Sequence, residues 1–207
     1  ARFELISVLS ASVLTVRIVL ISSIAVFSLK NLDRPVKPEE VEDSTTPYGK
    51  SKIRQEIQFA ERMDKRSGFE IWRVPNIVGG YTRGCLNRSS TLSQIYLSAL
   101  RESKTPVFLT GGGGCKRSFL PIELLAQRIV SSFEVQKPSS TIKNLTEGVV
   151  TNFSAILKSL NRYGVKPDVK VVSASLSHLY FEQSEEWEEG YIDQMFYNGF
   201  LSFRNAL

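Results

Sequence analysis

Tyr48 and Lys52 stand four residues apart in STTPYGKSKIRQE, residues 44–56, and that spacing can support proton chemistry. On a helix, residues four apart share a face, so the phenol and the ammonium can converge. A free tyrosine ionises near pH 10 and is a poor base at neutrality, about three units below. A cation held close favours the phenolate. The product is a general base suited to taking a proton from an alcohol or a sugar hydroxyl. Tyrosine and lysine also meet at this spacing by chance, so the pair carries weight only with its surroundings.

Those surroundings read as alternating strands and helices. Residues 48–66 form an amphipathic helix, with Ile53, Ile57, Ala60 and Met63 on its apolar face. Upstream, VRIVLISS is a β-branched run of the kind found in fully buried parallel strands, and Ser23 stands at its carboxyl end. GFEIWRVPNIVGG reads as a second buried strand, ended by Pro75 and the glycines and carrying Arg73, Pro75 and Asn76 to the same edge. Open α/β sheets bind their ligands outside the carboxyl ends of the strands. Ser23, Tyr48 and the Arg73–Asn76 segment therefore aim at one crevice.

Residues 2–12 have helical spacing, and a helix is expected over 90–101. PVFLTGGGGCKRSFLPIELLAQRIVSSF gives a short strand, a glycine hairpin turn, a second strand and a helix over 122–133. TIKNL and DVKVVS are strand-like, and TNFSAILKSLNRYG is a helix closed by Gly164. The tail from Ser173 shows no clear period. This alternation predicts an α/β fold with a largely parallel sheet.

Composition narrows the partners. The chain of 207 residues is 42% hydrophobic with a formal charge of +5, enough apolar content for a packed core. Its basic residues are spread out and 182–193 is acidic, so no clustered face for nucleic acid is expected. A phosphorylated small molecule suits the charge equally well. The apolar run Ile18–Leu29 is too short for a membrane span, which needs about 20 residues. Cys85 and Cys115 make neither a disulfide framework nor a zinc site, which fits a reducing cytoplasm. The sequons at Asn87, Asn144 and Asn152 are of a kind that also arises by chance in cytoplasmic chains. His178, the only histidine, reads as a packing or surface residue, and EEWEE at 185–189 as a solvated helix face.

SSxxVF, PYGKSK and RVPNIVGG, in this order and at these spacings, resemble the extended short-chain dehydrogenase/reductase family, and within it the nucleotide-sugar epimerases and dehydratases. KRSFLPIE at 116–123 is similar to the family segment in which an arginine and an aromatic residue precede an acidic helix start. The likeness runs from about residue 1 to about residue 150. It implies a Rossmann-type, mostly parallel doubly wound sheet plus a small α/β substrate-binding region. Residues 1–80 would hold the remaining half of the Rossmann-type domain, and 81–207 a mixed substrate-binding region and tail, with the chain interleaving between them. The resemblance implies Ser23, Tyr48 and Lys52 as catalytic and cofactor-binding residues, and Pro75 against the nicotinamide of NAD or NADP. It implies Asn76 and Arg117 as contacts of a nucleotide-sugar, Arg117 pairing with its diphosphate. A homodimer through the 48–66 helix is implied as well. The chain departs from the family at Phe27-Ser28, where Tyr-Gly is common, at Gly80, where proline is frequent, and at Pro121 and Glu123.

A dinucleotide site needs a glycine-rich turn between the first strand and its helix, and no G-x-G-x-x-G is present. GGYTRG at 79–84 has the wrong spacing, and GGGGCKRS at 111–118 lacks the glycine-lysine adjacency of a phosphate loop. The expectation is an amino-terminally truncated chain that keeps the catalytic residues and exposes a sheet edge. The alternative is a non-catalytic remnant or interaction module of the same fold.

Overall fold

A computed structural model describes residues 18–29, 33–40, 42–63, 69–83, 90–102, 106–133, 140–172, 176–184 and 186–207. The expected helix at 2–12, Cys85, Asn87 and Glu185 lie outside them. In chain order the elements are β1 (Ile18–Ser23), α1 (Pro47–Arg62), β2 (Phe69–Val74), β3 (Asn76–Val78), α2 (Thr91–Ala99), β4 (Val107–Thr110), β5 (Lys116–Pro121), α3 (Ile122–Ser132), β6 (Thr141–Asn144), β7 (Val149–Asn152), α4 (Phe153–Arg162), β8 (Val169–Val172) and α5 (Glu189–Ala206). Short 3-10 turns occupy Ile24–Val26 and Gly111–Gly113. Among the described residues, no helix is long and apolar enough to cross a membrane.

The fold is α/β and mostly parallel, as the alternation predicts. β1, β2 and β6 form one parallel sheet in that order. α1 covers one face, where Phe59 and Met63 pack on Ile71. α3 covers the other, where Leu125 packs with Trp72 and Val74. A second sheet pairs β3 parallel to β5 and β5 antiparallel to β7, and β4 pairs with β8 in a third. α2, α4 and α5 enclose the largest core around Tyr96, Phe119, Ile156, Phe196 and Phe203. There the Phe119 and Phe196 rings meet edge to face at 5.2 Å.

Four expectations change. β1 is only partly buried, with Ile21 36% exposed, because among the described residues it has one neighbour, β2. GFEIWRVPNIVGG is two strands in two sheets, because Pro75 has no N–H for a ladder and the chain changes sheets there. The glycine run is no hairpin: β4 pairs with β8 and β5 with β3 and β7, so Gly111–Gly113 turns the chain from one sheet to another. The buried side of α1 is Gly49, Glu56 and Phe59, with Ile57 53% exposed, because the sheet offers Glu56 a buried cation. The tail after Ser173 does contain an element, α5.

α1 begins where its sequence supplies a start. Thr46 Oγ1 accepts from the Gly49 amide at 3.0 Å, and Pro47 occupies the first turn. Gly49 lets this turn dock closely: a Cβ there would stand 2.1 Å from the Ala25 carbonyl oxygen and 2.0 Å from Ser44 Oγ. The described strap residues, 33–40 and 42–46, precede α1 in the chain. Asp33 accepts from Lys116 Nζ and from the Tyr180 hydroxyl at 2.8 and 2.7 Å, and the Val36 amide donates to the Tyr180 carbonyl at 2.8 Å.

Two outcomes follow from this docking. Gly49→Ala pushes the first turn of α1 off the β1 edge and destabilises the fold by about 1–3 kcal/mol; a urea midpoint equal to that of the parent would contradict the close approach. The hydrogen bond from Lys116, and then that from Tyr180, hold the Asp33 carboxyl below its ordinary pKa. A depressed folded pKa gives stability that is present above the unfolded value, about 3.9, and is lost as pH falls through the folded one. Hydrogen-exchange protection of the Val36 amide therefore drops in acid, and Asp33→Asn shows the lowered protection already at neutral pH.

Candidate active site

One cleft of about 580 Å³ opens beyond the carboxyl ends of β1 and β2 and is lined by Ser23, Tyr48, Pro75, Asn76, Tyr81, Ser90, Arg117 and Phe119, among others. Its size is that of an ordinary small-molecule site, about 300–1,000 Å³. Five of the six residues singled out from the sequence line it. The sixth, Lys52, stands behind Tyr48: its Nζ is 6.0 Å from the phenol ring centre and donates to the Ile21 carbonyl at 3.3 Å. The helix thus places the ammonium beside the phenol without opening it to the cleft.

Each side chain has a structural reason to be there. Ser23 ends β1 and caps the 3-10 turn, its Oγ accepting from the Ala25 amide at 3.2 Å. That bond uses a lone pair and leaves the hydroxyl proton to donate. Tyr48 is 58% exposed at the cleft mouth. Pro75 fills the point where the chain leaves one sheet for the next. Asn76 Nδ2 donates to the Ser118 carbonyl at 2.9 Å, which orients the amide. Arg117 Nη1 donates to the Lys116 and Ser177 carbonyls at 2.8 and 2.7 Å. Burial lowers its pKa, yet a guanidinium stays charged at neutral pH. Beside it, the first turn of α2 brings Ser90, Thr91 and Ser93 to the wall, and a helix amino terminus favours negative charge.

A second tyrosine, Tyr81, also lines the cleft, but burial pushes its pKa up to about 12. It is held as a protonated phenol and is no base at neutral pH. Gly80 has φ +64°, a backbone that proline, fixed near −65°, cannot adopt. The departure from the family pattern at that position therefore has a conformational cause. His178 does pack, with its Nδ1 accepting from the Lys116 amide at 3.2 Å and its ring 4% exposed.

Arg73 does not join the others at the crevice. It has no exposed surface and pairs with Glu56 and Glu42. Neither carboxylate, nor Ser22, whose hydroxyl donates to Glu56, was singled out from the sequence. One signal was available: an arginine and a glutamate inside the apolar run FEIWRV demand buried partners.

No protein-family model matches the chain, and no curated protein matches it. Solved structures do. The UDP-glucuronic acid 4-epimerase of Bacillus cereus, in complex with UDP-glucuronic acid and NAD, matches at a TM-score of 0.76 and 14% identity over 99% of this chain and 66% of its own. The UDP-glucose 4-epimerase of Bifidobacterium longum, in complex with NAD+ and UDP, matches at 0.69 and 19% over 91% and 63%. The dTDP-glucose 4,6-dehydratase of Bacillus anthracis, in complex with NAD, matches at 0.70 and 14% over 99% and 65%. The chain spans about two thirds of the length of these proteins, and over that span it has their Rossmann-type fold.

Proposed function

We propose that this chain carries the catalytic and substrate-binding part of an NAD(P)-dependent nucleotide-sugar epimerase or dehydratase of the extended short-chain dehydrogenase/reductase type. The observation that carries this reading is the gathering of Ser23, Tyr48, Pro75, Asn76 and Arg117 around one cleft, with Lys52 behind Tyr48. The shared fold with NAD-bound sugar-nucleotide enzymes supports it.

The residues fit the nicotinamide end of the cofactor. Pro75 offers an apolar surface for the ring, and Tyr48, with Lys52 behind it, would hold the ribose next to it. When bound, the nicotinamide accepts and returns a hydride. Tyr48 takes the proton from the sugar hydroxyl and later gives one back, and Ser23 donates to the oxygen at the same carbon. Lys52, its Nζ 6.0 Å from the phenol ring centre, supplies a positive charge beside Tyr48. Arg117 and the first turn of α2 hold the diphosphate by charge-assisted bonds, and Asn76 contacts the substrate. Such chemistry would give epimerisation or, with loss of water from the sugar, dehydration.

The adenine end requires a glycine-rich turn that this sequence does not contain. Among the described residues β1 has β2 as its one neighbour, and a further parallel strand could pair on its other side. The exposed face of α1 around Ile57 suits the homodimer, and a buried Cys115 thiol suits a cytoplasmic location. The same open edge favours the second reading, a fold retained as a binding module.

Calorimetric titration of NAD(H) separates the two readings. Micromolar binding supports the enzyme, and a chain carrying the glycine turn that binds no NAD(H) supports the module. In the NAD-binding protein, Tyr48→Phe lowers turnover of a UDP- or dTDP-hexose by about 10²–10⁴-fold, the usual share of a general base. Unchanged turnover would end the tyrosine mechanism. Arg117→Ala raises KM for the nucleotide-sugar and leaves KM for the free sugar unaffected.

A further inference from the structure

Tyr48, Lys52 and Glu56 follow one another at intervals of four along α1, so they form a single stripe. Each member meets the end of β1. Tyr48 shares the cleft with Ser23, Lys52 Nζ donates to the Ile21 carbonyl, and Glu56 accepts from the Ser22 hydroxyl. Ser22 is paired in register with Arg73 on the neighbouring strand. The Arg73 guanidinium closes the arrangement: its Nε lies 3.2 Å from both Glu56 oxygens, and its Nη2 is 2.7 Å from Oε2. The same guanidinium reaches the strap that leads to α1, donating to the Pro38 carbonyl at 3.0 Å and pairing with Glu42. The Phe27 ring lies 4.9 Å from its centre.

We infer that Glu56, held by Arg73, is a positioning residue for the Tyr48–Lys52 pair. This rests on the tyrosine reading proposed above and deepens it. An α-helix laid on a sheet can roll about its axis and slide along it, and apolar contacts from Phe59 and Met63 limit such motion only loosely. A carboxylate gripped by a planar, forked guanidinium is directional. Glu56 lies two turns from Tyr48, so its grip sets the roll and depth of α1 at the phenol. The Ser22 hydroxyl ties this grip to the residue next to Ser23. The hydroxyl, phenol and ammonium are thereby referred to one buried ion pair. Misplacement of a reacting group by about 1 Å can cost a hundredfold in rate.

The test uses the NAD-binding protein with a UDP-hexose that it turns over. Glu56→Gln keeps the size of the side chain and removes its charge; Ser22→Ala removes the tie to β1 and leaves the ion pair. For a positioning role, kcat falls about tenfold or more in folded Glu56→Gln, and severalfold in Ser22→Ala. KM for the nucleotide-sugar stays within about twofold, and the acid limb of the pH–rate profile moves to higher pH. A structural role alone lowers the urea midpoint but leaves the pH limb and the kcat per NAD-binding site in place, and that result overturns the inference. If Glu56→Gln does not fold, Ser22→Ala decides by the same two readouts. Tyr48→Phe in the same assay keeps the two ideas apart. If it is fully active, the tyrosine reading fails; if it is inactive while both other variants match the parent, only the positioning role fails.

Discussion

The guanidinium of Arg73 has no exposed surface, and an ion in that place constrains everything around it. Removing a charge from water costs several kcal/mol after relaxation, offset only when the partner geometry is good and the remaining donors are satisfied. Here Glu56, Glu42 and the Pro38 carbonyl supply those partners from α1 and from the strap between β1 and α1. None can drift without leaving a buried cation short of acceptors. Loss of one partner from such a pair costs about 3–5 kcal/mol, and that restoring force holds α1 and the strap in one arrangement. An apolar residue in place of Arg73 could pack against Phe27 equally well, but it would not specify a direction.

The cleft depends on the way the chain crosses between sheets. At Pro75 it leaves the sheet of β1, β2 and β6 and enters that of β3, β5 and β7, and β6 later returns to the first. Walls from two separately packed regions therefore stand side by side without an independent interface to form. Ser23 and Tyr48 come from one region, Arg117 and the first turn of α2 from the other, and Asn76 lies at the crossing. Its bond to the Ser118 carbonyl fixes it to β5 within the second sheet.

Much of this could be read from the chain, and the failures have physical causes. The alternation of strands and helices reports local preference, and the structure reproduces it. Ser23, Tyr48, Pro75, Asn76 and Arg117 converge because each lies at or within one residue of the end of an element. The pairing of β4 with β8 could not be seen, since a glycine run signals a turn but not which distant strand lies beside it. The apolar stripe assigned to α1 was half right, for a related reason: Ile53 and Met63 pack inward while Ile57 is exposed. Glu56 counts as a surface residue until Arg73, 17 positions away, is known to face it. α5 is a different case: Met195, Phe196, Gly199, Phe200 and Phe203 already carry helical spacing and required only that the acidic residues before them be set aside.

Under the proposed function, the two walls divide the chemistry between them. Proton transfer requires a group that changes charge during the reaction, and such a group works best where water and a neighbouring cation can both reach it; Tyr48 is 58% exposed with Lys52 behind it. Anion binding requires the reverse, charge that stays fixed. Arg117 is buried and held by two carbonyls, and the first turn of α2 adds backbone dipoles that never titrate. Tyr81 lies between these groups on the cleft wall, with burial keeping its proton in place. A substrate spanning the cleft would thus meet one ionisable phenol at its reacting end and permanent positive charge at the other. A nucleotide-sugar, with a neutral hydroxyl-bearing ring joined to a diphosphate, has the polarity that the proposed function calls for.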